Sequence, residues 1–116
     1  MKKLLGALVF VACLFLLSTS LANAHPPKSV GLSWNPSGTL SVNVSHSVND
    51  PVKHYVYRII VYVNNGVAAQ KEYNSQSNGD GLNDSFSLGA LPSGTNIKVE
   101  AFCVIMGSTT ASLTVP

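Results

Sequence analysis

Residues 39–45 read Thr-Leu-Ser-Val-Asn-Val-Ser, a stretch in which every second side chain is aliphatic. Strict alternation of apolar and polar residues has the period of a β-strand with one buried face. Leu40, Val42 and Val44 are therefore predicted to lie in a core, with the small polar residues between them facing solvent. No part of residues 25–116 has the spacing of an amphipathic helix, so the sequence indicates an all-β domain.

The same alternation recurs along the rest of the chain, separated by turn residues. The predicted strands cover residues 30–34, 40–44, 55–63, 67–73, 82–88, 97–105 and 111–115. Within 55–63, the odd-numbered residues Tyr55, Tyr57, Ile59, Val61 and Val63 are expected to share one face. Asn64-Asn65-Gly66 predicts a hairpin, because Asn and Gly tolerate the positive φ of tight turns. About seven antiparallel strands in a chain of this length favour an immunoglobulin-like β-sandwich.

The first 24 residues have the pattern of a secretory signal peptide. Lys2 and Lys3 precede an apolar run at residues 4–17, and Ala22-Asn23-Ala24 forms a small-residue cleavage site. The run is too short for a comfortable membrane span. Cleavage after Ala24 would leave one domain, residues 25–116, secreted or in a periplasm and free of the membrane. A lipidated Cys13 is the rival interpretation of this segment.

The charge balance excludes two classes of partner. The chain has seven basic and five acidic residues, a formal charge of +2 that disappears once Lys2 and Lys3 are removed. A neutral domain lacks the basic footprint that nucleic acids and anionic membranes require. The edge-like strand at 67–73 leaves pairing into a homodimer open, although Lys71 and Glu72 disfavour it.

Four side chains form a candidate metal-ligand set: His25, His46, His54 and Cys103. Imidazoles with a thiolate suit iron, zinc or copper. No spacing typical of a hydrolase triad, a phosphate loop or a paired-carboxylate site is present, so no catalytic side chain is assigned. Cys103 is the one cysteine after the leader, which excludes an internal disulfide; the domain must be held by packing, a metal or both.

Each candidate also has an interpretation that needs no metal. His46 continues the buried face of residues 40–44 and could bond a backbone carbonyl. His54 falls on the face opposite Tyr55 and Tyr57, so the pattern alone does not aim it at a site. Cys103 fits a small buried hydrophobe, and the polar residues 74–81 are typical of a surface loop. As the first residue after cleavage, His25 could instead chelate copper with its α-amine and imidazole.

Several of these motifs together resemble the iron-binding domain of desulfoferrodoxin and superoxide reductase. That family has a histidine followed by proline, then His-Pro-Met, His-Tyr-Ile and Cys-Asn-x-His. The corresponding segments here are His25-Pro26, His46-Ser47-Val48, His54-Tyr55-Val56 and Cys103-Val104-Ile105-Met106. The sulfur-carrier partner in thiosulfate oxidation, a related sandwich that needs no metal, shares the His-Tyr-Ile strand and the Asn-Gly hairpin.

The resemblance implies a mononuclear non-haem iron that reduces superoxide, or another small oxidant, with electrons from a donor protein. The implied metal ligands are His25, His46, His54 and Cys103, whereas Met106 stands where the family has its last histidine. This softer ligand set leaves copper as an alternative to iron. The family's assisting lysine has no counterpart here. A non-catalytic periplasmic binding module, with His54 at an interface and Cys103 in the core, is the other function that stays open.

Overall fold

The computed structural model describes residues 25–116, so the predicted leader and its cleavage site lie outside the described residues. Seven strands follow one another: β1 (Ser29–Asn35), β2 (Thr39–Ser45), β3 (Val56–Val63), β4 (Gly66–Glu72), β5 (Gly81–Ser87), β6 (Asn96–Cys103) and β7 (Ser108–Thr114). They form a three-stranded sheet in the order β1-β2-β5 and a four-stranded sheet in the order β4-β3-β6-β7. Every neighbouring pair is antiparallel. The predicted all-β sandwich of seven antiparallel strands is confirmed.

No helix occurs between residues 25 and 116, and so none there is long and apolar enough to cross a membrane. The core contains the alternating aliphatic residues of the two sheets. Leu40, Val42 and Val44 of β2 are at most 2% exposed, as the sequence predicts. Burying such side chains stabilises a fold by roughly 1.5–3 kcal/mol each, and these residues join the sheets without a disulfide, since Cys103 is a free thiol.

The hairpin between β3 and β4 has the predicted turn. Asn64 and Asn65 have φ values of 48° and 71°, the left-handed conformation that a two-residue hairpin turn requires at both positions. The Asn64 side chain also accepts a hydrogen bond from the Asn96 amide at 3.0 Å. The turn is therefore fastened to the start of β6.

The start of β3 differs from the sequence prediction. Val56, Ile59 and Val61 are the fully buried residues of the strand, whereas Tyr57 is only half-buried, so the expected face of Tyr55 and Tyr57 is wrong. The cause is an irregularity in the pairing of β3 with β6, where the register shifts between Val56 and Arg58. A bulge of this kind exchanges the two faces of a strand on either side of it. The residues before the bulge, His54 included, therefore change side.

The end of β6 is the second difference. The strand ends at Cys103, and the Cys103 amide donates to the Gly107 carbonyl at 3.0 Å, which closes a turn. Ile105 within this turn is 51% exposed, so its predicted place on the buried face of β6 is wrong. Gly107 has a φ of 74°, a conformation that favours glycine.

Candidate metal centre

Three histidines converge at one end of the sandwich. His25 precedes β1, His46 directly follows β2, and His54 lies two residues before β3. Their candidate ligand nitrogens all lie within 4.8 Å of one another. The ring centroids are 5.0 Å apart for His25 and His46, 5.1 Å for His25 and His54, and 4.7 Å for His46 and His54. The structure therefore brings together all three histidines that the sequence proposed as ligands.

The pairing of β1 with β2 positions the first two histidines. The Lys28 amide donates to the Ser45 carbonyl at 2.7 Å, which extends the ladder toward the N-terminal side of β1. Thr109 of β7 donates its hydroxyl to the Pro27 carbonyl and fastens the same segment on its other side. His25 thus lies beside His46 because the chain that carries it is held between β2 and β7.

A compact turn brings His54 back to His46. The amides of Lys53 and His54 donate to the Asp50 carbonyl at 3.2 and 2.9 Å, and the Asp50 carboxylate accepts from the Val52 amide at 3.0 Å. The seven residues between His46 and His54 therefore fold back within a single loop. At the end of this loop the Nε2 atom of His54 is buried.

The histidines differ in their exposure. His46 is fully buried, with Nδ1 hydrogen-bonded to Gln76 Oε1 and Nε2 3.3 Å from the His25 carbonyl oxygen. His25 is exposed, and its Nδ1 lies 3.1 Å from the Pro26 carbonyl oxygen. The cluster is therefore closed toward the core and open to solvent at His25.

One ring nitrogen of His54 is free to bind a metal ion. Its Nε2 is buried and, among the residues that the structure describes, has no hydrogen-bond partner. Burial lowers the pKa of the His54 imidazole, and repulsion from His46 and His25 lowers it further, while a hydrogen bond with the His25 backbone partly opposes the shift. A neutral imidazole presents a lone pair, and buried polar atoms rarely stay without a partner. A metal ion would satisfy this nitrogen.

Gln76 is the residue at this site that the sequence analysis missed. The polar stretch 74–81 was expected to be a surface loop, yet the Gln76 side chain is only 6% exposed and contacts His46. Nothing in a run of Asn, Ser, Gln and Gly marks one amide as buried, because the loop has no apolar periodicity. The Asp80 carbonyl, in the same loop, accepts a hydrogen bond from the His46 amide at 2.8 Å.

Cys103 pairs with the strand that follows His54 but lies outside the histidine cluster. It is 4% exposed and faces the core, as the sequence predicts, opposite Val56 in the pairing of β3 with β6. Its Sγ accepts the Ile105 amide at 3.4 Å. The group of ligand atoms within 4.8 Å of one another consists of the three histidines and does not include Cys103. Met106, in the turn after β6, is 43% exposed.

The three nitrogens are close enough together to bind a metal ion. Nitrogens bound to one tetrahedral ion at about 2.0–2.1 Å lie roughly 3.3 Å apart, so modest rotations of the rings would close the cluster. Three imidazoles leave at least one coordination position for a further ligand or a small molecule.

No family model matches this chain, and neither the curated proteins nor the solved structures include a significant match.

Proposed function

We propose that this protein is an exported redox protein that binds one transition-metal ion, iron in the first instance, and reduces superoxide to peroxide. The convergence of His25, His46 and His54 carries the proposal, together with the partnerless Nε2 of His54. The likeness of the sequence to desulfoferrodoxin and superoxide reductase supplies the choice of reaction. It also supplies Cys103 as the fourth ligand.

The position of Cys103 supports a role as a thiolate on the buried side of the histidines. Its register partner Val56 follows His54 by two residues, and Tyr55 between them accepts the Val104 amide at 3.0 Å. The backbone around Cys103 is thus tied to the backbone around His54. The Ile105 amide donates a hydrogen bond to Sγ at 3.4 Å, which fixes the direction of this side chain.

Ferrous iron at this site would supply one electron, which together with two protons converts superoxide into hydrogen peroxide, and an exported donor protein would return the electron. The residues of the chain hold the geometry and control access. His46 and Cys103 are buried and exclude water from the core side, whereas exposed His25 leaves an approach for a small anion. The single negative charge of a thiolate, added to the neutral charge of the imidazoles, would favour the ferric product.

A copper site is the second candidate, and the backbone of His25 favours it. The His25 carbonyl oxygen lies 3.3 Å from His46 Nε2, so the backbone of the first histidine borders the cluster. Processing after Ala24 would place a free α-amine on this residue. An amine and three imidazoles form a nitrogen-rich set that binds Cu(II) more tightly than other divalent metals of its row.

Metal analysis and visible spectroscopy of the exported protein, expressed as the full chain with its processed N-terminus determined by mass spectrometry, test the proposal. We expect one iron per chain and a thiolate-to-iron(III) absorption band. Cys103→Ser should abolish the band, whereas Ala101→Ser, an equally buried position on the same strand face, should keep it. Reduced protein mixed with superoxide should yield one peroxide per oxidised iron without release of dioxygen.

The other functions give different results in the same experiment. One copper per chain, lost when a residue is added before His25, would establish the copper site. Metal content near zero that stays so after iron or copper is supplied would contradict both metal functions and support the binding module. His54→Gln should reduce metal content, and Lys53→Gln, at the exposed neighbouring residue, should not.

A further inference from the structure

We propose that Gln76 is a positioning residue that holds the proton of His46 on Nδ1, so that Nε2 is the nitrogen this histidine offers to the metal. The inference rests on the proposed metal site and adds a residue to it that the sequence analysis did not identify. It depends on the orientation of one buried amide and on what that orientation requires of the imidazole next to it.

The hydrogen bonds of Gln76 fix the orientation of its side-chain amide. Its Nε2 donates to two carbonyl oxygens, those of His46 at 3.0 Å and Asn78 at 3.2 Å. Its Oε1 accepts from the Val56 amide at 3.1 Å. Exchanging the two ends would set an N–H group against the Val56 N–H and an oxygen against two carbonyls. The amide therefore has one favourable orientation.

This orientation decides the tautomer of His46. The atom of Gln76 next to His46 Nδ1 is Oε1, which can only accept a hydrogen bond. Nδ1 must therefore carry the proton, and a neutral His46 then has its lone pair on Nε2. The Nε2 atom lies 3.3 Å from the His25 carbonyl oxygen, a second acceptor. Two acceptors facing each other at this partly buried contact are unfavourable, and a cation bound to the nitrogen relieves the conflict.

Gln76 also connects the two segments that carry the buried histidines. It contacts the end of β2 through His46 and the start of β3 through Val56, two residues after His54. The backbone amide of Gln76 donates to the Pro51 carbonyl at 3.1 Å, within the loop between His46 and His54. The Gln76 side chain thus links the segment that ends at His46 to the segment that begins after His54. Because it is an amide, it orients His46 without adding the negative charge that an aspartate or glutamate would place beside the metal.

The tautomer is measurable in the metal-free protein. Long-range ¹H–¹⁵N correlation spectra, recorded where the imidazoles are neutral, should show a protonated Nδ1 and an unprotonated Nε2 for His46. Gln76→Leu removes the acceptor and should give a mixture of tautomers. Gln76→Glu keeps an oxygen next to Nδ1 and should retain the wild-type tautomer, although it loses the two donated bonds. Gln70→Leu, at an exposed glutamine on β4, is the control and should change nothing.

Zinc affinity separates positioning from a merely structural contribution. Loss of a residue that orients a metal-binding histidine weakens affinity about 10–100-fold, and we expect that loss for Gln76→Leu in calorimetric titrations with Zn(II). Gln76→Glu should bind Zn(II) at least as tightly as the wild type, even though its unfolding midpoint falls. Equal losses of affinity in both variants, in proportion to lost stability, would overturn the inference. So would a wild-type spectrum with the proton of His46 on Nε2.

The two proposals fail in different ways. If the wild type shows the Nδ1 proton and binds Zn(II), yet purifies without iron and does not react with superoxide, the redox function fails and the assignment of Gln76 stands. If Zn(II) does not bind although the tautomer is as expected, the metal site itself is wrong and the role of Gln76 in it falls as well.

Discussion

Val56 and Cys103 lie opposite each other at the start of β3 and the end of β6, and both residues are buried. The Val56 amide donates to Gln76 Oε1, so this residue is bonded to the polar network of His46 and lies opposite the proposed thiolate ligand in the sheet. Val56 therefore contributes both to the packing of the core, through its side chain, and to the position of Gln76, through its backbone amide.

Shortening the Val56 side chain should lower the stability of the fold. The side chain is fully buried, so Val56→Ala leaves a cavity at the end of the core. We expect the free energy of unfolding to fall by roughly 2 kcal/mol, measured by urea denaturation. Val67→Ala, at a residue 63% exposed on the edge strand β4, should change it by less than about 0.5 kcal/mol.

The same cavity should make Cys103 accessible. In the wild type the thiol is 4% exposed and should react slowly with a thiol reagent. In Val56→Ala, under native conditions, the reaction should be several times faster, while Val67→Ala should react at the wild-type rate. An unchanged rate in Val56→Ala would show that Val56 does not cover the sulfur.

The sequence predicted the frame of the fold better than the direction of the site residues. Alternation in residues 39–45 identified a buried face correctly, because the period of a strand has few competing explanations. The face of His54 could not be predicted, since the bulge after Val56 depends on pairing with β6 and leaves no mark in the alternation of 55–63. Gln76 was missed for a related reason: its burial results from tertiary hydrogen bonds to distant segments.

Adding a methyl group at Gly81 should disrupt both the fold and the site. Gly81 has a φ of 155°, and a Cβ there would lie 1.9 Å from the Val44 carbonyl oxygen and 3.3 Å from the His46 amide nitrogen. Gly81→Ala should therefore lower the free energy of unfolding by several kcal/mol, in excess of about 3, and weaken metal binding. Gly89 has a φ of 76°, but a Cβ added there would meet no atom within 4 Å. Thermal unfolding of Gly89→Ala should show only a backbone cost of about 1–2 kcal/mol.

Removing the Tyr73 hydroxyl should change how stability depends on pH. Burial tends to raise the pKa of Asp84, but the Tyr73 hydroxyl, 2.6 Å from the carboxylate, together with the Ser85 amide and Lys71, holds that pKa below its ordinary value. A carboxyl group with a lowered pKa stabilises the fold above its unfolded pKa and loses that contribution as the pH falls through the folded one. Tyr73→Phe should thus cost about 1 kcal/mol near neutral pH, measured by urea denaturation.

The difference between Tyr73→Phe and the wild type should shrink once the pH falls below about 4, where the carboxyl of the unfolded chain becomes protonated. Tyr62→Phe serves as the matched variant, because its hydroxyl makes only a 3.4 Å contact with Glu100. Its cost should not follow the titration of Asp84. A cost of Tyr73→Phe that stays constant from neutral to acid pH would mean that the hydroxyl does not stabilise the ionised carboxylate.

Zinc should stabilise the fold near neutral pH and cease to do so in acid. A ligand at 100 times its dissociation constant adds about 2.7 kcal/mol to the free energy of unfolding when it binds the folded state alone, which should appear as a higher melting temperature in Zn(II). Metal binding requires deprotonated imidazoles, so protons compete with it as the pH falls. At His54 this competition begins only below the ordinary range of a histidine, because burial and its two neighbours lower its pKa.

Melting curves with and without Zn(II) should therefore separate at about pH 7.5 and coincide at about pH 4.5. His54→Gln should remove the separation at the higher pH, whereas Lys53→Gln should keep it. Equal zinc stabilisation of both variants would place the metal somewhere other than the three histidines.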